Sequence, residues 1–482
     1  MKPEPSTIPE PAAIPHRRPR RRLLWLLAIL SVPPSIAALA LAVFMATAAS
    51  RERAALDEAD RVDPRWRLAD LQADRDAVPD ADNAALVVLA AHAAMGAVDP
   101  SIPANGPASK GRPAIEQLGA SRANRAVDPA IVDEVAVSPG PHARALAVAR
   151  TLAGMRRGRY PKPAAPTPLW SVPAHVDAAL GVARLLADDA LVRSSRGDID
   201  GAILDIRAIL GASSSPGDEP GMVSAIAYSG MVEGAILDVE HVLAQGAASD
   251  AALSLLDADL AAEEATPRLK RAFRGERALA DDLLRRLSSG ALTPAAIGFA
   301  LPGWPGRALN RSPITRTWFR NGRGLALGRV NEALAIADRP EAEQTAPWRA
   351  WDAEVIGGPR SNYVTQILDA PGRMIGLAWR AADGFRVVTA KLRAARLAIA
   401  LERHRLAHGR WPADPPPMGP FADPFEPAPL RLKRLADGWS IYSVGPDGTD
   451  EGGKLDPSPP IRPTDFGLRL YDPEHRRRPK AP

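Results

Sequence analysis

Hydropathy changes period several times along the chain, and each change marks an element. From Leu23 to Ser50 no residue carries a charge, a run of 28 positions that at helical rise can cross a hydrocarbon core of about 30 Å. Pro33-Pro34 lies inside the run and predicts a kink at most. Beyond Val78-Pro79-Asp80 a helix is expected from Asn83 to Gly96, with Asp82 as its cap. Proline-rich breaks at Asp99 to Pro113, Pro139 to Pro141 and Tyr160 to Pro173 cut this region into short helices. From His175 onward the spacing is steadier. Leu180 to Val192 and the stripe Ile199, Ile203, Ile206 and Leu210 flank a Gly197-Asp198 turn, which predicts an αα-hairpin of the tetratricopeptide type. No clear period follows, so the expectation is an irregular helical body, not a solenoid. Helices are read near Met222 to Ala244, Ser249 to Ala265 and Pro267 to Leu287, and again up to Ala337. A loop is expected from Arg339 to Asn362, and Tyr363 to His408 completes the helical part.

The last helix carries the apolar stripe Val388, Leu392, Ala395, Ile399 and Leu406, and Gly409 and Pro412 stop it. Leu430 to Leu435 and Trp439 to Val444 then read as strands joined by a two-residue turn at Asp437-Gly438. Phe466 to Tyr471 reads as a third strand. Leu430, Leu432, Trp439, Ile441, Leu468 and Leu470 supply the apolar partner the helix stripe needs. Between the second and third strands Gly445-Pro446-Asp447-Gly448-Thr449-Asp450-Glu451-Gly452-Gly453 crowds carboxylates into a glycine-rich loop. Such carboxylates repel unless a cation or water separates them, and oxygen ligands suit calcium.

His408-Gly409-Arg410-Trp411-Pro412, Asp423-Pro424-Phe425 and Tyr442-Ser443-Val444-Gly445-Pro446-Asp447-Gly448, with Gly452-Gly453 after them, resemble the C-terminal domain of the major pseudopilins of type II secretion systems. The resemblance covers about a fifth of the chain. It implies a long helix on a small antiparallel sheet and a calcium ion held in the loop after the second strand. By position, Val444 would give a carbonyl, and Asp447 and Asp465 carboxylates; Asp450 is a further oxygen donor. Lys454 to Thr464 reads as an insertion, and the amino-terminal methylation motif of pseudopilins is absent, so what is implied is the domain and not the secretion role. The fold class is therefore mainly α: a single transmembrane helix, an irregular all-α body, and a small α+β pseudopilin-like end with a three-stranded antiparallel sheet. The expected organisation is a disordered basic tail (1–22), a transmembrane helix (23–50), a juxtamembrane helical region with Pro-rich loops (51–172), an all-α domain (173–383), the pseudopilin-like domain (384–472) and a basic tail (473–482).

Charge adds topology. Arg17-Arg18-Pro19-Arg20-Arg21-Arg22 precedes the uncharged run and mixed-sign Arg51-Glu52-Arg53 follows it. The positive-inside rule then puts the amino terminus in the cytoplasm and the body outside, in a bacterial cytoplasmic membrane. A cleaved signal peptide ending at Ala46-Thr47-Ala48 is the competing reading, and it too exports the body. The net charge is +5, yet the excess sits at the two ends and leaves the body slightly acidic. No nucleic-acid-binding motif accompanies it. Absence of cysteine removes disulfides, thiol nucleophiles and cysteine zinc sites.

Other candidates have plain alternatives. His404 and His408 have the spacing of a metal pair, but they project away from the apolar stripe and no third ligand is evident. Glu263-Glu264 with Arg268, Lys270, Arg271, Arg274, Glu276 and Arg277 reads as helix-surface pairing at three and four residues. Asp198 and Asp200 read as helix caps and not as a calcium loop. The sequence thus points to a binding or structural module held in the bilayer through residues 23–50, with a protein partner open and no nucleic acid. An exported hydrolase with catalytic carboxylates in the helical body, near Glu264, is the alternative.

Overall fold

The computed structural model describes residues 20–75, 77–96, 123–136, 140–161, 173–297, 303, 308, 312–357, 381–412, 421–455 and 465–479. The expected tail as far as residue 19, most of the proline-rich breaks, the segment 358–380 and the insertion at 456–464 lie outside them. Mostly helical, the described chain carries one small antiparallel sheet near its end.

Helix α1 (Arg20–Val62) is continuous through Pro33-Pro34. Its two halves differ. Every residue from 35 to 40 is exposed, with Ile36 at 62% and Leu39 at 66%. From Leu41 a covered stripe begins, in which Leu41 and Phe44 are half-buried and Ala48, Glu52, Ala55 and Ala59 are buried. The steps of three and four between them put these residues on one helical face. What covers that face is α11 (Pro313–Ala337), which is itself paired with α10 (Arg268–Ser289).

Polar contacts fix the directions in this three-helix bundle. Arg51 Nη1 donates to Asn321 Oδ1 (2.6 Å), Glu52 holds Arg320 and Arg323 (2.8 Å to the latter), and Asn331 Nδ2 donates to the Ala55 carbonyl (3.0 Å). So α1 and α11 run the same way. Asp281 holds Arg323 (2.5 Å) and Arg277 Nη1 donates to Asn331 Oδ1 (3.2 Å), so α10 runs against both. Asp63, at the end of α1, takes Arg274 (2.7 Å) and Arg277 (2.5 Å). Arg277 is 1% exposed, and a guanidinium that deep needs its counter-charge. Backbones meet at Gly324, where a Cβ would stand 2.7 Å from the Glu52 nitrogen.

The rest of the body forms one large core. Helix α3 (Ala84–Ala94), α5 (Gly140–Ala149), the hairpin α6 (Ala174–Ser195) and α7 (Ile199–Ser213), α8 (Met222–Gln245) and α9 (Asp250–Glu264) share it with α13 (Ala381–His408) and the sheet. The αα-hairpin is formed as expected, and Asp198 caps α7 by accepting from Gly201 N (3.0 Å). The sheet order is β1 (Arg431–Leu435), β2 (Gly438–Ser443) and β3 (Phe466–Tyr471), with Leu432 opposite Ile441 and Ile441 opposite Leu468. Leu430, Ile441, Leu468 and Leu470 are buried, and Leu432 and Trp439 pack against the same core.

Helix α13 is enclosed from two sides. The sheet covers one face; α8 and α9 cover another. Besides Val388, Leu392, Ala395 and Ile399, the residues Ala390, Ala394, Leu397, Ala398 and Leu401 are buried. A ladder of ion pairs closes the α9 side: Asp250 with Arg403 (2.7 Å), Asp257 with Arg396 (2.9 Å), and Glu264 with Arg396 and Arg393 (2.7 Å each). The core is therefore continuous across residue 384, where the sequence places a domain boundary.

Several local expectations need correction. Leu406, expected in the stripe, lies in the last turn of α13 and is 36% exposed. The cap of α3 is Asn83, whose Oδ1 accepts from Ala85 N (3.1 Å), and not Asp82. The hairpin turn is Ala436-Asp437, and Gly438 already belongs to β2. Its φ is +150°, and a Cβ would come within 2.1 Å of the Leu470 carbonyl of β3, so glycine is required by sheet pairing. The loop expected from Arg339 contains α12 (Thr345–Gly357), with Pro347 in the first turn, where no backbone donor is needed. Its Trp348 and Trp351 pack on Phe273. At the chain end Arg476 forms a buried bidentate pair with Glu402 (2.9 and 2.8 Å), so the basic segment is built into the body as far as residue 479.

Two glycines of α11 give a direct comparison. Gly324→Ala forces the α1 and α11 backbones apart and is expected to lower stability by about 1–3 kcal/mol. Gly328 has nothing within 4 Å of a built Cβ, so Gly328→Ala is expected to raise stability by up to about 1 kcal/mol through helix propensity. Chemical denaturation of both variants reads the difference.

Candidate metal loop

The loop after β2 is organised from below by Asp423. This residue is 1% exposed and accepts from Phe425 N (2.8 Å), Ser443 Oγ (2.8 Å) and Val444 N (3.3 Å). Burial still pushes its carboxyl up, while those donors act against it. Arg386 donates to the Pro424 carbonyl (2.6 Å) and lies 4.2 Å over the Phe425 ring, which ties the segment to α13. Asp423-Pro424-Phe425 was visible in the sequence only as part of a resemblance. Its structural task comes from one short carboxylate meeting three donors in a dry place.

The four residues expected to bind metal part company. Val444 is buried, and its backbone N–H is bound by Asp423. Asp447 is exposed and closes its own turn by accepting from Thr449 N (3.0 Å). Asp450 accepts from Gly452 N (2.7 Å) and from the Tyr442 hydroxyl (3.1 Å), with Arg431 at 3.2 Å. The Gly452 N–H holds its carboxyl below the ordinary range, helped by Tyr442 and Arg431 and opposed by desolvation. Burial and then the Asp450 carboxylate push the Tyr442 hydroxyl up to about 12.

Asp465 is the exceptional group. It is 1% exposed, and its Oδ2 accepts from Gly453 N (2.8 Å). Its Oδ1 is buried with no hydrogen-bond partner among the described residues. Burial raises its carboxyl, and the charges of Glu451 and Asp450 raise it further, against hydrogen bonds from the backbone. Asp450, Glu451 and Asp465 thus share one electrostatic neighbourhood, while Asp447 points elsewhere. Glu451 was not singled out from sequence, since nothing there tells which loop carboxylate turns toward Asp465.

A different trio, Asp472, Glu474 and His475, brings its ligand atoms within 4.8 Å of one another. Arg434 binds both oxygens of Asp472 (2.9 and 2.7 Å). His475 donates from Nε2 to the Ala436 carbonyl (3.2 Å) and accepts at Nδ1 from Arg478. Asp472 and His475 already have partners and offer a cation little. His404 and His408 stack at 4.1 Å on one face of α13.

The carboxylates of the expected cluster, Glu263 and Glu264, pair with residues of other helices rather than along their own. Glu263 meets Arg268, Lys270 meets Asp338 (2.5 Å), and Glu264 sits between Arg393 and Arg396. The cavity under Tyr228 and Ser224 measures about 30 Å³, room for a water or two. Asp205 is fully buried: Arg150 reaches its Oδ1 (2.8 Å), Arg193 Nε stands 3.2 Å from its Oδ2 without hydrogen-bond geometry, and burial with the neighbouring Asp189 pushes it up to about 8. Against burial, Asp189 is lowered by its contact with Asp205, then by Arg193 (2.6 Å) and Arg150.

No protein-family model, no curated protein and no solved structure matches the chain. The pseudopilin resemblance therefore rests on the residues quoted for it.

The raised carboxylates predict a direction with pH. Asp205 keeps its proton in the folded state up to about pH 8 but loses it near 4 when unfolded, so the folded state binds more protons between these values and stability falls as pH rises through them. Asp205→Asn is expected to flatten that slope in urea titrations from pH 5 to 9. Asp465 has the same sign. In chelator at pH 7, Asp465→Asn is expected to melt at or above wild type.

Proposed function

We propose that this protein is a single-span membrane protein whose extracytoplasmic body serves as a binding or structural module, stiffened by calcium at its pseudopilin-like end. The observation that carries the reading is the division of α1. An exposed apolar stretch from Ser35 continues, within one helix, into a half that Glu52 and Asp63 lock into the body. Such a stretch is costly in water and suits a bilayer. Helix α8 is also long and apolar enough to cross a membrane, but half of its apolar stretch is buried inside the body. Ala48 is buried within the continuous helix, which favours an anchor over cleavage before Ala49.

The module reading is favoured over the hydrolase by the carboxylates themselves. Glu264 is occupied by two arginines, and the raised Asp205 is not among the residues lining the small cavity. For calcium, support comes from the unpartnered Oδ1 of Asp465 beside Asp450 and Glu451. A cation there would supply the missing partner and offset the repulsion.

Two measurements test the proposal. Protease added to intact spheroplasts is expected to degrade the body and spare the amino-terminal tail; a fully protected body reverses the orientation, and a mature terminus at Ala49 selects cleavage. Calcium is expected to raise the melting temperature of the full chain in nanodiscs over chelator, and to lose that effect in Asp465→Asn. Equal midpoints for wild type with calcium and with chelator defeat the metal part.

A further inference from the structure

The three-helix bundle is unequally charged along its length. Toward the exposed half of α1 it gathers Arg51, Arg53, Arg285, Arg286, Arg316 and Arg320. Arg285, Arg286 and Arg320 have side chains 53%, 48% and 46% exposed. Arg316 is exposed, beside Gly290. The carboxylates at that level are Asp282, which takes Arg285 (2.6 Å) and approaches Arg286 (3.6 Å), Asp281, which takes Arg323 (2.5 Å), and Glu52, which takes Arg320 and Arg323. At the opposite end the signs balance in pairs: Arg61 with Glu58, Arg65 with Asp74 and Arg67 with Asp60.

The arginine-rich end also carries an apolar tip at a definite height. Gly324 faces Glu52, and α11 runs parallel to α1. Ile314, in the first turn of α11, therefore stands about 15 Å further toward the exposed half, level with roughly residue 42 of α1. Burial along α1 agrees, since its covered stripe begins at Leu41. Ile314 is 49% exposed, and Val43 and Met45 beside that level are 54% and 45% exposed. A span needs about 20 residues, and the uncharged run has 28. The excess at its carboxyl end falls where the tip of the bundle lies.

We propose that this end of the bundle, Ile314 with the surrounding arginines, rests in the headgroup layer of an anionic phospholipid bilayer and gives the body a second hold on the membrane. The proposal rests on reading α1 as a membrane span. Guanidinium groups pair bidentately with lipid phosphates, while Ile314 reaches the acyl boundary below them. Attraction to anionic headgroups is short-ranged, so it acts only on arginines held at the surface. Two contacts at one height would fix the tilt and rotation of the body, which one helix alone leaves free.

The chain has no cysteine, so single-cysteine variants of the full protein can be labelled cleanly with an environment-sensitive fluorophore in nanodiscs. Leu39→Cys tests the span, Ile314→Cys tests the tip, and Leu255→Cys, 51% exposed on α9, serves as the solvent reference. In discs containing phosphatidylglycerol, the label at 314 is expected to shift to the blue and be quenched by headgroup-level spin labels. The label at 39 is expected to be quenched by deep ones, and that at 255 by neither. In pure phosphatidylcholine, quenching at 314 should fall several-fold while 39 is unchanged. A water-like signal at 314 with a buried 39 overturns the second hold and leaves the span standing. A water-like 39 overturns the span itself, and equal quenching at 314 in both lipids overturns the part given to the arginines.

Discussion

Arg277 is a buried cation, 1% exposed, and the carboxylate that answers it is Asp63, the residue immediately after α1. A charge that deep is strongly destabilising without its partner. Asp63 therefore cannot drift away, and with it the whole half of α1 beyond Leu41 is held against α11. Glu52 repeats the arrangement a few turns earlier by meeting Arg320 and Arg323. Between the two carboxylates, small residues let the backbones close: Ala55 and Ala59 on α1, Gly324 on α11. The carboxyl half of α1 and the body are consequently one packed unit at this joint.

The same logic binds the carboxyl end to the helical body. Helix α13 is the shared wall: the sheet packs on one side, α8 and α9 on another, and the ladder from Asp250 to Glu264 fixes their register. Lys391 adds a pair with Glu233 (2.6 Å), and Arg476 returns from beyond β3 to Glu402. The buried pair of Arg476 with Glu402 contributes little net stability, but it is unforgiving about which groups meet. It suits a body that must hold one arrangement.

What could be read from the sequence follows from contrast. Large apolar residues at steps of three and four exposed the αα-hairpin and one face of α13, and alternation exposed the strands. Ala390, Ala394 and Ala398 gave no such signal, because alanine is common on both buried and exposed faces; the second covered side of α13 was hidden for that reason. Charged residues misled in a related way. Glu264 and Arg268 look like neighbours on one helix, but an ion pair between helices leaves no spacing in the sequence, and Glu264 meets Arg393 and Arg396 instead. A loop is expected from the sequence over the residues of α12, where Pro347 sits in the first turn and is tolerated. Within the candidate metal loop, sequence supplied the carboxylates but could not say that Asp447 caps its own turn while Asp465 is buried with a free oxygen.

The central claim, that the carboxyl half of α1 is part of the body, is open to hydrogen exchange on the full chain in nanodiscs. Local openings exchange faster than global unfolding, so protection reports which segments share one cooperative unit. Amides of residues 49–62 are expected to be as protected as those in the middle of α11, and the two segments should lose protection together in Asp63→Asn. Rapid exchange throughout 49–62, with α11 still protected, would contradict the claim.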